Sequence, residues 1–130
     1  MDYHVIIVGA GPAGIFSALT LADLGIERVL LLEQGKELDQ RQRRNSKDML
    51  CGWGGAGAYS DGKLTLSSEV GGSLGEFLDQ DSLDELLTAA DEVYVAHGAP
   101  GHVFGEVSAE LEDLSDRARL ADLELIPARI

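Results

Sequence analysis

With 130 residues of which 45% are hydrophobic, the chain has material for one compact domain with its own core, and two domains are not expected. A net charge of −13 makes nucleic acid and anionic membranes poor partners, and no apolar run is long enough for a membrane span. Cys51 is the single cysteine, which excludes an intramolecular disulfide, and the first residues lack a basic signal-peptide segment, so a soluble cytoplasmic protein is expected.

The first element is a strand over His4 to Val8, short, continuous and β-branched, as suits a strand buried on both faces of a parallel sheet. Gly9, Gly11 and Gly14 follow at the spacing of a dinucleotide-binding turn. Gly9 allows the tight turn, Gly11 leaves room for a pyrophosphate beside the backbone, and Gly14 lets the next helix pack close to the sheet. Pro12 suits a first helical turn, where its missing N–H costs nothing. Ile15, Ala18, Leu19 and Ala22 form an apolar stripe, and Gly25 after Leu24 reads as the helix stop. A second strand, Arg28 to Leu32, delivers Glu33 about 20 residues past the last glycine, where a carboxylate can accept hydrogen bonds from a ribose hydroxyl. Gln34 and Gly35, not arginine, come next, which argues against a 2′-phosphate and so against NADP at this site. A solvated strand end is the plain alternative for Glu33, but the strand, turn and helix before it favour the ribose role.

Gln34 to Asp48 is polar and reads as an exposed connection, with one of Arg41, Arg43 or Arg44 as a candidate ligand for phosphate or a substrate acid. Beyond it, Cys51 to Lys63 is dense in glycine yet carries Trp53 and Tyr59, unlike a flexible linker, and reads as a ligand-lining loop. Asp61-Gly62 suggests a tight turn into a short strand ending at Leu66. Gly71 to Gly75 is a breaker, and Ser82-Leu83-Asp84-Glu85 has the form of a capping box before a helix striped by Leu83, Leu86, Leu87, Ala90, Val93 and Tyr94. Gly98 to Gly101 ends that helix. A second helix with Val107, Leu111, Leu114 and Ala118 on one face follows, and Leu123 to Ile126 reads as a strand stopped by Pro127. The acidity lies in this second half: residues 1–68 carry eight acids and seven bases, residues 69–130 fifteen acids and three bases. Solvated helix faces account for it most simply. His4, His97 and His102 are isolated, so no metal site is expected.

Val8-Gly9-Ala10-Gly11-Pro12-Ala13-Gly14 with Glu33 resembles the FAD-binding form of the dinucleotide fold in two-dinucleotide-binding-domain flavoproteins. The segment from Cys51 to Leu64 is more particular and is similar to the hallmark of a group of bacterial and archaeal FAD-dependent dehydrogenases, as are Glu69 to Gly72 and Tyr94 through Pro100. The resemblance implies an α/β, Rossmann-like FAD/NAD(P)-binding fold with a parallel sheet. Because members of that group are several times longer and return to the FAD domain near their C-terminus, this chain is expected to be an incomplete N-terminal fragment, a partial FAD-binding domain over 1–130. Its parts would be the dinucleotide-binding unit at 1–34, the glycine-rich flavin loop at 50–67 and a helical segment ending in a strand at 73–130. By resemblance Gly9, Gly11, Pro12, Ala13 and Gly14 surround the FAD pyrophosphate, and Glu33, with Gln34 beside it, holds the adenosine ribose. Arg41 and Gly54, Gly55, Ala56 and Gly57 approach the pyrophosphate or the flavin. The implied activity is that of an FAD-dependent oxidoreductase moving a hydride or electrons, with NAD(P)H an open co-substrate of the full-length enzyme. An NAD-binding dehydrogenase domain and a non-catalytic nucleotide-binding remnant stay open as alternatives. For Cys51, a redox thiol near the flavin stands against a small packed residue, which is the simpler reading. Catalytic residues, substrate and oligomeric state are not assigned.

Overall fold

The computed structural model describes residues 2–68, 70–126 and 128–130. The chain divides into two compact units, residues 1–62 and 63–130, where length alone suggests one. The first unit is built on a strand, helix and strand: β1 (Val5–Val8), α1 (Pro12–Asp23) and β2 (Val29–Leu32). β1 and β2 pair in parallel, with Val5 opposite Val29 and Val8 opposite Leu32. Both strands start one residue later than their sequence suggests; Arg28 turns into β2 through a left-handed φ of 58°, and the His4 N–H still reaches its carbonyl at 3.0 Å.

Among the described residues the sheet has these two strands, and the expectation of burial on both faces is not met. Val5 and Ile7 are partly covered, whereas Ile6 and Val8 point the other way and Val8 is 83% exposed. Side chains alternate across a strand, so α1 covers one set and leaves the other open. The helix face that is covered also differs from the expected stripe: Ile15, Ala18 and Leu21 are half-buried, while Leu19 and Ala22 are exposed. A stripe of i, i+3 and i+6 fits one face as well as i, i+3, i+4 and i+7, and here the narrower set wins.

Gly14 sets how near α1 sits to β1. A Cβ there would run into the Gly9 carbonyl oxygen and lie 3.4 Å from Ile7 Cγ2. At the other end Gly25, with φ of 70°, stops the helix in a Schellman arrangement, its N–H donating to Ala22 O and the Ile26 N–H to Leu21 O.

The connection after β2 is more ordered than its polarity suggests. It holds a 3-10 turn at Leu38–Gln40 and a short helix α2 (Ser46–Leu50) capped by Asn45, whose side chain accepts from the Lys47 and Asp48 N–H groups. Arg41 and Asp48, both expected in an exposed stretch, are 6% exposed. Asp48 accepts from Lys36 Nζ at 2.8 Å and from the Gln42 N–H at 3.2 Å, which satisfies the buried carboxylate. Its carboxyl is held below the ordinary value, first by the Lys36 hydrogen bond.

In the second unit, α3 (Gln80–Ala96) begins earlier than the anticipated capping box. Asp79 is the cap, accepting from the Ser82 N–H at 2.8 Å, so Ser82 lies inside the first turn. That hydrogen bond lowers the Asp79 pKa. Leu83 is buried, Leu87, Ala90 and Val93 are half-buried, and Leu86 and Tyr94 of the expected stripe are exposed. Gly98 ends α3 as expected. α4 (Ala109–Leu120) is capped by Ser108, leaving Val107 outside the helix, and beyond its C-cap Ala121 stands Asp122, one of the few side chains that tolerate its left-handed φ of 58°. Neither expected strand forms among the described residues: the Leu66 N–H makes a single bond to Arg129 O, and the Leu123 N–H closes the end of α4 on Ala118 O. Pro127, the proposed stop, and Glu69 of the family-like segment lie outside the described residues. Among the described residues no helix is long and apolar enough to cross a membrane.

Two outcomes test this packing. Gly14→Ala forces a methyl into the β1–α1 contact and is expected to cost about 1–3 kcal/mol in thermal denaturation, while Gly11→Ala, with no atom within 4 Å of the added carbon, costs less than about 1 kcal/mol. A carboxylate with a lowered folded pKa contributes stability that is present above its unfolded value and lost as pH falls through the folded one. For Asp48 and Asp79 that loss lies below their ordinary 3.8, so acid titration followed by circular dichroism should show a transition there that Asp48→Asn and Asp79→Asn each diminish.

Candidate functional site

Ala10, at the tip of the glycine turn, is fully buried, and both of its backbone groups are held. Its N–H donates to Glu33 Oε2 at 2.8 Å and its carbonyl accepts from the Gly54 N–H at 2.8 Å. The turn is thus tied on one side to the acid that ends β2 and on the other to the glycine-rich loop.

Each glycine of the turn has a separate geometric role. Gly9 has φ of 106°, a conformation that side chains rarely adopt; Gly11 faces open space; Gly14 lies against Gly9. α1 starts at Pro12 with Gly11 as its cap and no side-chain cap hydrogen bond. Among the described residues, no carbonyl or side chain accepts from the N–H groups of Gly11, Ala13 or Gly14. Three donors at the positive end of a helix dipole, beside a backbone that carries no side chain, form a cradle for an anionic group such as a pyrophosphate.

Glu33 is half-buried, and besides Ala10 it accepts from the Gly35 N–H on Oε1 at 2.8 Å. These bonds, Ala10's first, lower its pKa, so it is ionised at neutral pH. A carboxylate offers about four acceptor positions, more than the Ala10 and Gly35 hydrogen bonds fill. Gln34, beside it, is exposed and turns its amide toward Cys51 Sγ at 3.8 Å.

The second glycine segment comes to the first, as a shared site requires. Its glycines, however, first serve backbone packing: a Cβ on Gly55 would lie 3.1 Å from Gly11 Cα and 3.4 Å from Pro12 Cδ, and one on Gly35 would lie 2.5 Å from Gly52 Cα. Ala56 and Gly57 continue into a 3-10 turn, Ala56–Tyr59, and are exposed beside the turn, with Gly57 near Pro12. Arg41, expected near the cofactor, instead directs its guanidinium into the loop. Nε donates to Asp48 O at 2.7 Å, Nη1 to Trp53 O at 2.6 Å, and Nη2 to Met49 O at 3.1 Å and Gly55 O at 2.8 Å. Tyr59 covers the guanidinium at 4.7 Å. Sequence reasoning picked out Arg41 but missed Asp48 and Tyr59 as its surroundings, since nothing in their spacing distinguishes them from surface residues.

The FAD dependent oxidoreductase family model matches residues 4–130. An uncharacterised protein of Clostridium beijerinckii is 36% identical over 109 residues, covering 75% of this chain and 19% of that protein. The chain therefore spans about a fifth of the length of the curated relative it matches. No solved structure matches. With the glycine turn, the terminal acid and the paired loop in one place and the family match running from β1 to the last residue, the chain belongs to the FAD dependent oxidoreductase family.

Proposed function

We propose that this chain supplies the FAD-holding portion of an oxidoreductase, with the adenine dinucleotide end seated on the turn from Gly9 to Gly14. The observation that carries this reading is the set of uncommitted N–H groups on Gly11, Ala13 and Gly14, beside a Glu33 already oriented by Ala10 and Gly35. Gly11, Ala13 and Gly14 would hold the pyrophosphate by their backbone, with Gly9 and Pro12 shaping the turn. Glu33 would accept from the adenosine ribose, with Gln34 at the rim. Gly54, Gly55, Ala56 and Gly57 would flank the pyrophosphate. The residues fit the group, because an anion satisfies donors that no described residue fills and Gly11 keeps its approach clear.

When bound, FAD supplies hydride or electron-pair transfer. The chain's own contribution is to bind and orient it: a fixed turn and an ionised Glu33 require no reorganisation as the dinucleotide arrives. NADP is disfavoured on the same geometry, since Glu33 would repel a 2′-phosphate and Gly35, pressed on Gly52, has no space for an arginine side chain to neutralise it. A soluble protein with no membrane or nucleic-acid partner is part of this proposal.

Titration of the purified chain with FAD, followed by flavin absorbance and fluorescence, is expected to show saturable binding. NAD binding in preference to FAD, or neither, would overturn the reading. Glu33→Gln should weaken FAD by about 10- to 100-fold, the value of hydrogen bonds to a charged group. Because the Glu33 pKa is lowered, wild-type affinity should stay level from neutral pH down to about 4.5 and fall below it as the carboxylate takes up a proton. Glu33→Gln should lack that fall.

A further inference from the structure

A file of aligned peptide groups leads from Arg41 to the phosphate turn. The carbonyl of the Trp53–Gly54 peptide accepts from Arg41 Nη1 at 2.6 Å, and the N–H of that same peptide donates to Ala10 O at 2.8 Å. The Ala10 carbonyl belongs to the Ala10–Gly11 peptide, whose N–H, on Gly11, has no acceptor among the described residues. A guanidinium at one end therefore faces an open donor at the other, with two peptide units in line between them.

Hydrogen bonds in such a row polarise one another, by roughly 10–30% per bond. A positive charge at the carbonyl end draws electron density along the row and makes the last N–H a better donor to an anion. The row is also mechanically fixed. Arg41 is 6% exposed, commits four of its five N–H groups to backbone carbonyls of Asp48, Met49, Trp53 and Gly55, and is covered by Tyr59. Trp53 O and Gly55 O bracket Gly54, so the guanidinium grips both neighbours of the residue that touches the turn. Lysine offers a point charge and cannot span these carbonyls.

We propose that Arg41 is a positioning residue for the phosphate turn: it does not touch the dinucleotide, but holds and polarises the Trp53–Gly54 peptide, which in turn holds and polarises the Ala10–Gly11 peptide that binds the pyrophosphate. This rests on the reading of the turn as the FAD pyrophosphate site. It also gives the glycine-rich loop a task distinct from lining the flavin, that of a clamp in which Gly55 packs so close to the turn that an added Cβ would lie 3.1 Å from Gly11 Cα, with Gly54 in reach of Ala10.

The test compares the whole chain, wild type, Arg41→Ala and Arg41→Lys, by amide exchange in the ligand-free protein and by FAD titration, each with about 10 mM guanidinium chloride or ammonium chloride added. In Arg41→Ala the Gly54 amide is expected to exchange faster while Ile7 and Leu31 stay protected, and FAD affinity to fall roughly 10-fold. Guanidinium should restore both and ammonium neither, and Arg41→Lys should resemble Arg41→Ala. If Arg41→Ala fails to fold, Tyr59→Leu, which uncovers one face of the guanidinium, should give the same changes in smaller measure. Weakened FAD binding with Gly54 exchange unchanged would mean direct contact with the ligand and overturns the proposal; faster Gly54 exchange with FAD affinity unchanged overturns it as well. The exchange arm needs no ligand, so a wild-type chain that takes up no FAD overturns the functional reading alone.

Discussion

The first unit depends on the fixing of one residue, Ala10. A buried backbone group without a partner costs free energy, and Ala10 has both of its groups buried and both satisfied from distant parts of the chain, Glu33 and Gly54. The consequence reaches beyond stability. A turn held on both sides presents its remaining donors in one arrangement, so that an arriving anion meets a formed site. Glu33 anchors the turn, and in the proposed function it would also accept from a sugar, because a carboxylate has more acceptor positions than Ala10 and Gly35 use.

Glycine is used in the unit for three different physical reasons, and only one of them concerns a ligand. Gly9 and Gly25 are conformational, Gly14, Gly35, Gly52 and Gly55 permit backbones to touch, and Gly11 leaves an approach open. The sequence distinguishes these roles in the first turn, where strand, helix and spacing supply a frame. It does not do so at Gly52 to Gly57. There the density of glycine suggests a ligand-lining surface, and the geometry shows close contact with Gly11, Pro12 and Gly35 before any ligand is considered.

What was legible follows from how local each signal is. The order strand, turn, helix, strand and acid was legible, as were the stops at Gly25 and Gly98, because propensity, capping and spacing act over a few residues. The burial of Arg41 and Asp48 was not, since a polar stretch gives no sign of which charges are turned inward; only the carbonyls of Met49, Trp53 and Gly55 decide it. The strands expected at Lys63 to Leu66 and Leu123 to Ile126 failed for the complementary reason. Alternating or apolar residues make a strand possible, but a strand exists only where a ladder partner lies alongside, and these segments have single hydrogen bonds in place of a ladder. β1 shows the same limit in burial: its β-branched run suits cover on both faces, and α1 supplies it on one.

A chain of net charge −13 is at first sight a poor host for a pyrophosphate. The balance is local, however. Residues 1–68, which include the turn, carry eight acids and seven bases and are nearly neutral. Near the turn, Lys36 is neutralised by Asp48, and fixed positive character comes from the helix terminus and from Arg41. Neither presents a mobile cation to solvent. The dipole is fixed by α1, and the guanidinium is fixed by four carbonyls, so the attraction for an anion is carried by backbone N–H groups of defined direction.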